Sequence, residues 1–238
     1  MLKKILKFTG VFILGVFGGI FADQILWPYF IERPLFYQYR LEQPPIFLTE
    51  KKEITIQENV AITDAIEKVE KVIVGVSTKT KTGETLEGSG LILTADGLAI
   101  TLAELVPKSS TSSIFVDEKL ISFQILKRDL KENLALIKFD ESNLPTCSFA
   151  DLGKIKLGER VFLVGTIFKK TGLEKIVNEG IIKTFDENSI QTNIIEEDNL
   201  AGSSLFDIKG NVLGINVIDK EGKVSTIPIS KIKEFIGL

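Results

Sequence analysis

A chain of 238 residues, 44% of them hydrophobic, is long enough to bury a sizeable core, and its 29 basic and 32 acidic residues leave a net charge of −3. The sequence contains no histidine and a single cysteine, Cys147. This excludes an intrachain disulfide, a Cys/His metal cluster and any mechanism that needs imidazole as general base. No basic stripe of the kind found in nucleic-acid binders is present, so we do not expect nucleic acid as a partner. We also expect no metal and no other cofactor.

The first predicted element is a membrane anchor within residues 1–23. An uncharged run extends from Phe8 to Ala22 and follows three lysines, Lys3, Lys4 and Lys7. As a helix this run spans about 22 Å, and the neighbouring apolar residues extend it toward the ~30 Å of a bilayer core. Positive charge before the run and Asp23 after it predict a cytoplasmic N-terminus. We therefore expect a single-pass protein of the cell membrane whose main part lies outside the cytoplasm.

A cleaved signal peptide is the alternative for this segment, because it has the same charged start and a similar apolar length. Cleavage after Ala22 would put Ile20 where a small residue is preferred, so we favour a retained anchor. Gly15 and Gly19 form a GxxxG pair, which allows an oligomer without establishing one. Residues 24–53 contain four prolines and no sustained period, and predict a partly extended stalk.

The rest of the chain predicts an all-β structure. Short β-branched and aromatic runs are separated by turn residues and fall into two sets. The first set lies at 72–78, 91–93, 113–116, 121–126 and 134–139, and the second at 160–168, 175–185, 189–195, 212–218 and 223–229. Only 63–71 and 230–236 have a helical pattern. We predict two packed six-stranded β-barrels, residues 54–150 and 151–238, the second ending in a short helix.

Three segments resemble the trypsin-like serine proteases of the HtrA/Deg group. They are GSGLILTADGLAITLAELV (88–106), LKRDLKENLALIKFD (126–140) and QTNIIEEDNLAGSSLFDIKGNVLGIN (191–216). The resemblance implies a trypsin-like fold and places the positions of the catalytic histidine, aspartate and serine at Glu104, Asn133 and Ala201. Alanine has no nucleophilic atom, glutamate is a weaker base than imidazole, and asparagine lacks the orienting negative charge. The resemblance therefore predicts a pseudoprotease, not an enzyme.

The loop around the nucleophile position also departs from the family. The family's Gly-Asn-Ser-Gly-Gly is replaced by Asn199, Leu200, Ala201, Gly202 and Ser203. Asparagine tolerates a left-handed backbone better than most residues, so a distorted version of the loop is expected. We take Asn199, Leu200, Gly202 and Ser203 as the candidate binding residues.

The leading functional hypothesis is a membrane-anchored binding or scaffolding protein on the extracytoplasmic side. Its partner would be an extended peptide that adds to a sheet edge, or another envelope protein. The alternative is an active serine peptidase with a displaced nucleophile, Ser203 or Ser204, and a lysine base. A third hypothesis is a structural envelope protein whose groove is closed.

Overall fold

The computed structural model describes residues 2–31 and 58–237, with side chains for 3–27 and 60–237. The chain divides into two units, Met1–Thr55 and Ile56–Leu238. In the first unit, helix α1 (Leu2–Phe21) continues in a π-helical register over Ala22–Ile31. The span Lys3–Trp27 has a mean hydropathy of 2.0 and is long and apolar enough to cross a membrane, a property that signal sequences share.

Part of the predicted stalk is therefore helical, at residues 24–31, and not extended. Pro28 lies inside this segment and has no N–H to donate to the preceding turn, which agrees with the wider hydrogen-bonding register found here. The remainder of the predicted stalk, residues 32–53, lies outside the described residues.

The second unit begins with helix α2 (Glu58–Val69) and a 3₁₀ turn, followed by strands in two groups. The first group contains β1 (Ile73–Lys79), β2 (Thr85–Ile92), β3 (Leu98–Leu102), β4 (Thr111–Val116), β5 (Lys119–Ile121), β6 (Phe123–Asp129) and β7 (Leu134–Phe139). The second contains β8 (Arg160–Lys169), β9 (Gly172–Phe185), β10 (Ile190–Ile195), β11 (Ser204–Asp207), β12 (Val212–Ile218) and β13 (Lys223–Pro228), and helix α3 (Ile229–Ile236) follows it.

The first group forms one seven-stranded sheet in the order β5-β4-β1-β2-β3-β7-β6. Its two edge strands are consecutive in the chain and separated only by Ser122, so the sheet must curl until its edges meet at that residue. The structure thus differs from the closed six-stranded barrel expected for residues 54–150. The predicted strand 121–126 is interrupted at Ser122. The part before Ser122 pairs with β4 and the part after it pairs with β7, so the sheet is a half-barrel with an open side.

The second group closes into a six-stranded barrel in the order β10-β13-β12-β11-β8-β9, as predicted. Helix α3 is also confirmed: Ile229, Ile232 and Phe235 are buried on one face, and Gly237 ends the helix at a positive φ of 84°. The all-β fold class is therefore confirmed.

The hydrophobic core joins the two groups of strands. Phe162 of β8 and Phe206 of β11 are fully buried with ring centroids 5.5 Å apart, and they belong to the same cluster as Ile100 and Phe139 of the half-barrel. Polar contacts cross the same junction, since Thr166 donates its backbone N–H to Ser89 Oγ over 2.8 Å. These contacts hold the two groups of strands together.

Candidate functional site

The predicted positions of the catalytic histidine and aspartate, Glu104 and Asn133, are neighbours across two paired strands. Glu104 lies in a 3₁₀ turn directly after β3, and Asn133 directly precedes β7. Leu102 pairs with Leu134 in the antiparallel ladder between these strands, so the two turns emerge side by side. Asn133 has a φ of 51°, a left-handed conformation that asparagine tolerates.

Glu104 and Asn133 are bound to each other through both ends of the asparagine amide. Asn133 Nδ2 donates to Glu104 Oε1 over 2.9 Å, and the backbone N–H of Glu104 donates to Asn133 Oδ1 over 3.1 Å. Ala103 N–H also donates to the backbone carbonyl of Asn133 over 3.1 Å. An aspartate at position 133 could accept the backbone N–H of Glu104. It could not donate to Glu104 Oε1, because a carboxylate has no proton to donate.

The turn that carries Asn133 is held by Asp129. Its Oδ1 accepts the backbone N–H of Lys131 over 2.8 Å and that of Glu132 over 3.2 Å. These N–H groups stabilise the ionised carboxylate and hold the pKa of Asp129 below its ordinary value of 3.8. The Glu132 N–H has the largest effect. Arg128 Nε donates to Ala103 O over 3.1 Å and ties the same turn to the turn of Glu104.

Ala201, the residue at the predicted nucleophile position, has only a methyl side chain. It follows a 3₁₀ turn over Asp198–Leu200, and its own N–H donates to the carbonyl of Asp198 over 2.9 Å. In trypsin-like proteases the N–H of the nucleophile residue is one of the two oxyanion donors. Here that donor is used inside the loop, so the N–H at Ala201 is not free to bind an oxyanion.

The loop after Ala201 packs against the turn of Glu104. Gly202 has a φ of 78°, and a Cβ at this residue would lie 2.2 Å from Ser89 O and 3.1 Å from Leu105 Cδ1. A Cβ at Gly88 would lie 2.5 Å from Ala201 O and 2.6 Å from Leu105 Cδ1. Since Leu105 directly follows Glu104, the loop of Ala201 lies beside the turn that carries Glu104.

Ser203 is part of a buried polar network that the sequence reasoning did not identify. Asn216 donates from Nδ2 to Ser203 Oγ over 3.0 Å, and Thr226 Oγ1 donates to Asn216 Oδ1 over 2.6 Å. All three residues are at most 1% exposed. The network holds the Ala201 loop to β12 and β13. Its only sequence signal was the Gly-Ile-Asn motif ending at Asn216.

Ser204 is fully buried, and its hydroxyl has no hydrogen-bond partner among the described residues. In the described part of the chain no lysine contacts the hydroxyl of Ser203 or Ser204. The arrangement that a serine–lysine mechanism needs, a nucleophile within hydrogen-bond reach of its base, is not formed by these groups.

Of the four predicted binding residues, one is half-buried and three are buried. Asn199 is half-buried and lines a surface depression of about 460 Å³ together with residues 196–198 and the 219–222 turn. Leu200, Gly202 and Ser203 are buried and do not line this depression. Within the described ranges, no group of three or more metal-ligating side chains could hold a metal ion.

The sequence of this chain is similar to those of known proteins. A family described as Trypsin-like peptidase domain matches residues 88–215, more than half of the chain. A Pseudomonas putida protein described as "Probable periplasmic serine endoprotease DegP-like" is 31% identical over 138 residues, which cover 54% of this chain and 28% of that protein. A Chlamydia pneumoniae protein with the same description is 27% identical over 161 residues, covering 63% and 32%.

A solved structure has the same fold. The structure of the HtrA-type protease AlgW with tripeptide superposes with a TM-score of 0.66 at 22% identity and covers 74% of this chain and 62% of that one. The chain thus matches about a third or less of the length of these two relatives, and the likeness to the solved structure concerns the fold.

Proposed function

The chain belongs to the trypsin-like peptidase family, and from that premise we propose that it is a pseudoprotease: a membrane-anchored domain outside the cytoplasm that binds an extended peptide or another envelope protein without cleaving it. The observation that carries this proposal is the state of the three triad positions. Glu104 is bound to the amide of Asn133, and Ala201 offers a methyl group where a nucleophile is required.

The oxyanion site supports the same conclusion independently of the side chains. Stabilising the oxyanion is often the largest single contribution to acyl-transfer catalysis, and it depends on donors that are free before substrate binds. The N–H of Ala201 donates instead to Asp198 O. Restoring the side chains alone would therefore leave this part of the catalytic machinery without one of its donors.

The surface beside Ala201 offers room for a side chain of a bound peptide. The depression of about 460 Å³ lies between the loop 196–199 and the turn 219–222, next to the nucleophile position. Asn199 lies at its edge, and its Nδ2 donates to Glu197 Oε2 over 3.3 Å. We assign peptide binding to this depression, with Asn199 as the predicted binding residue whose side chain reaches it.

Location outside the cytoplasm rests on the N-terminal span and on the relatives that are described as periplasmic. Alkaline phosphatase is active only outside the cytoplasm, so a fusion of this enzyme after Leu238 tests the orientation. We expect an active fusion that sediments with membranes. An inactive fusion would reverse the proposed topology.

The test of function uses the purified full-length chain in detergent micelles, with trypsin as the positive control. We expect no cleavage of β-casein and no labelling by a serine-reactive fluorophosphonate, together with saturable binding of fluorescently labelled β-casein. Asn199→Phe should fill the depression and weaken binding. The matched variant Asn188→Phe, in the turn between β9 and β10, should not.

Cleavage that disappears in Ser203→Ala or Ser204→Ala would overturn the proposal and favour a displaced nucleophile. The absence of any casein binding, with no cleavage, would overturn the binding function while leaving the loss of catalysis intact. It would favour the structural protein with a closed groove.

A further inference from the structure

The open side of the half-barrel has two unpaired strand edges. β5 pairs only with the end of β4, from Ile114 to Val116, so Thr111–Ser113 has a partner strand, β1, on one side alone. β6 pairs with β7 and is the edge of the sheet on its other side. Each edge carries backbone N–H and C=O groups that can pair with a further strand.

These two edges face the same groove. It has a volume of about 720 Å³ and is lined by residues 106–112 on one wall and by Phe123 and Ile125–Arg128 on the other. The wall from Phe123 to Arg128 would run about 20 Å at ~3.3 Å per residue of extended chain. The groove therefore has the length and the hydrogen-bonding edges suited to one short extended segment.

A β-bulge in β6 makes this wall apolar. Ile125 pairs with Ile137 and Lys127 with Leu136, which leaves Leu126 as an extra residue without a partner. The two neighbouring side chains at the bulge, Ile125 and Leu126, are 43% and 52% exposed. Bulges commonly redirect side chains next to functional surfaces, and exposed apolar residues on a free edge favour pairing with another chain.

The charge of the groove determines the chemistry of its occupant. Its lining residues include three cations, Lys108, Lys127 and Arg128, and no carboxylate. Lys127 is fixed by a 2.7 Å bond from Nζ to Phe235 O, and Arg128 by its bond to Ala103 O. Lys108 is exposed and has no hydrogen bond or ion pair within the described residues. An acidic occupant would complement this charge.

We propose that this groove is a second docking site, which binds an extended segment of another protein with alternating apolar and acidic residues. The segment adds as a strand between the free edge of Thr111–Ser113 and β6. Its apolar side chains cover Ile125 and Leu126, and its carboxylates approach Lys108. This site is separate from the depression beside Ala201 and does not depend on the function proposed there.

The probe is a fluorescein-labelled nine-residue peptide of alternating valine and glutamate. Its binding to the full-length chain in micelles is measured by fluorescence anisotropy, and empty micelles serve as the blank. We expect saturable binding that weakens at least about fivefold in Leu126→Thr and in Lys108→Glu. The matched variants Leu157→Thr and Lys170→Glu make the same changes at exposed positions outside the groove and should leave binding unchanged. Peptides with lysine in place of glutamate, or with proline at alternate positions, should not bind.

Equal binding by all four variants, or no saturable binding of the valine–glutamate peptide, would overturn the proposal. Analytical ultracentrifugation of the same samples tests the other occupant. A dimer that Leu126→Thr dissociates and Leu157→Thr does not would assign the groove to a second copy of this chain, and would equally overturn the proposal.

Discussion

Asn133 donates from Nδ2 to Glu104 Oε1 over 2.9 Å, and the direction of this hydrogen bond is the reverse of the one that a catalytic triad uses. In a triad the residue at the aspartate position accepts a proton from the histidine and thereby orients it. Here the side chain of Asn133, at the predicted aspartate position, donates, and the side chain of Glu104, at the predicted histidine position, accepts. The contact between the two turns is therefore not the one that orients a base in a triad.

Asn133→Asp should therefore destabilise the protein instead of restoring a triad partner. The variant replaces the donor with a second carboxylate at hydrogen-bond distance from Glu104, so the bond is lost and two like charges face each other. Because Glu104 is exposed, we expect the free energy of unfolding to fall by about 1 kcal/mol. Urea unfolding of the full-length chain, followed by far-UV circular dichroism, measures this change.

The control is the double variant Glu104→Gln/Asn133→Asp, which exchanges amide and carboxylate. The glutamine amide can donate to the aspartate, so most of the lost stability should return. If the double variant is no more stable than Asn133→Asp alone, the hydrogen bond is not the origin of the effect.

Replacing each of two adjacent serines by alanine should change the free energy of unfolding in opposite directions. Ser204→Ala removes a buried hydroxyl that has no partner, and we expect it to raise the free energy of unfolding by about 0.5–2 kcal/mol. Ser203→Ala removes the acceptor for Asn216 Nδ2 and leaves a buried N–H unpaired, so it should lower the free energy of unfolding by about 1–3 kcal/mol. Urea unfolding of both variants tests the pair, and a loss of stability in Ser204→Ala would mean that its hydroxyl has a partner.

The sequence predicted the fold where its patterns were regular. The second barrel has alternating strands such as β10, where every second residue is buried, and its closure was predicted. Strands β3 and β11 were missed because nearly all of their residues are buried, which removes the period-two alternation that marks a strand. The break at Ser122 was also missed, since pairing with two different partner strands is a tertiary feature that local propensity does not encode.

Gly202 is the residue of the Ala201 loop where a side chain is least tolerated. Gly202→Ala combines a positive φ of 78° with a Cβ only 2.2 Å from the carbonyl oxygen of Ser89. Gly83→Ala is the matched control, because Gly83 has a φ of 87° but nothing within 4 Å of its Cβ position. We expect about 1–2 kcal/mol of destabilisation from φ alone in Gly83→Ala, and at least about 2 kcal/mol more, or loss of folded protein by circular dichroism, in Gly202→Ala. Equal effects would show that the loop can move away from Ser89.

The sequence pointed to the residues of the candidate site but not to the hydrogen bonds that they make. Glu104, Asn133 and Ala201 were chosen by resemblance, and the structure pairs Glu104 with Asn133 and places the loop of Ala201 beside the turn of Glu104. The bond from Ala201 N–H to Asp198 O depends on the 3₁₀ conformation of the loop, which the sequence Glu-Asp-Asn-Leu does not determine. The unpartnered hydroxyl of Ser204 likewise follows from burial between strands, and no local pattern distinguishes it from the bonded hydroxyl of Ser203.

Asp129 should make the stability of the half-barrel depend on pH in the acid range. Its pKa is held below the ordinary value of 3.8 by the N–H groups of Glu132 and Lys131, so the folded state favours the ionised carboxylate more than the unfolded state does. The resulting stabilisation is present above pH 3.8 and is lost as the pH falls through this value and then through the lower pKa of the folded state. Asp129→Asn keeps an oxygen acceptor at the same position but cannot ionise.

The expected result is a higher urea midpoint for the wild type than for Asp129→Asn at pH 6–7, with a difference that shrinks below about pH 4. Both proteins carry a neutral group at this position once the wild-type carboxylate is protonated, so the two midpoints should converge at the acid end. A difference that stays constant down to pH 2.5 would show that the carboxylate acts through its geometry alone. In that case ionisation of Asp129 would not contribute to holding the turn that presents Asn133 to Glu104.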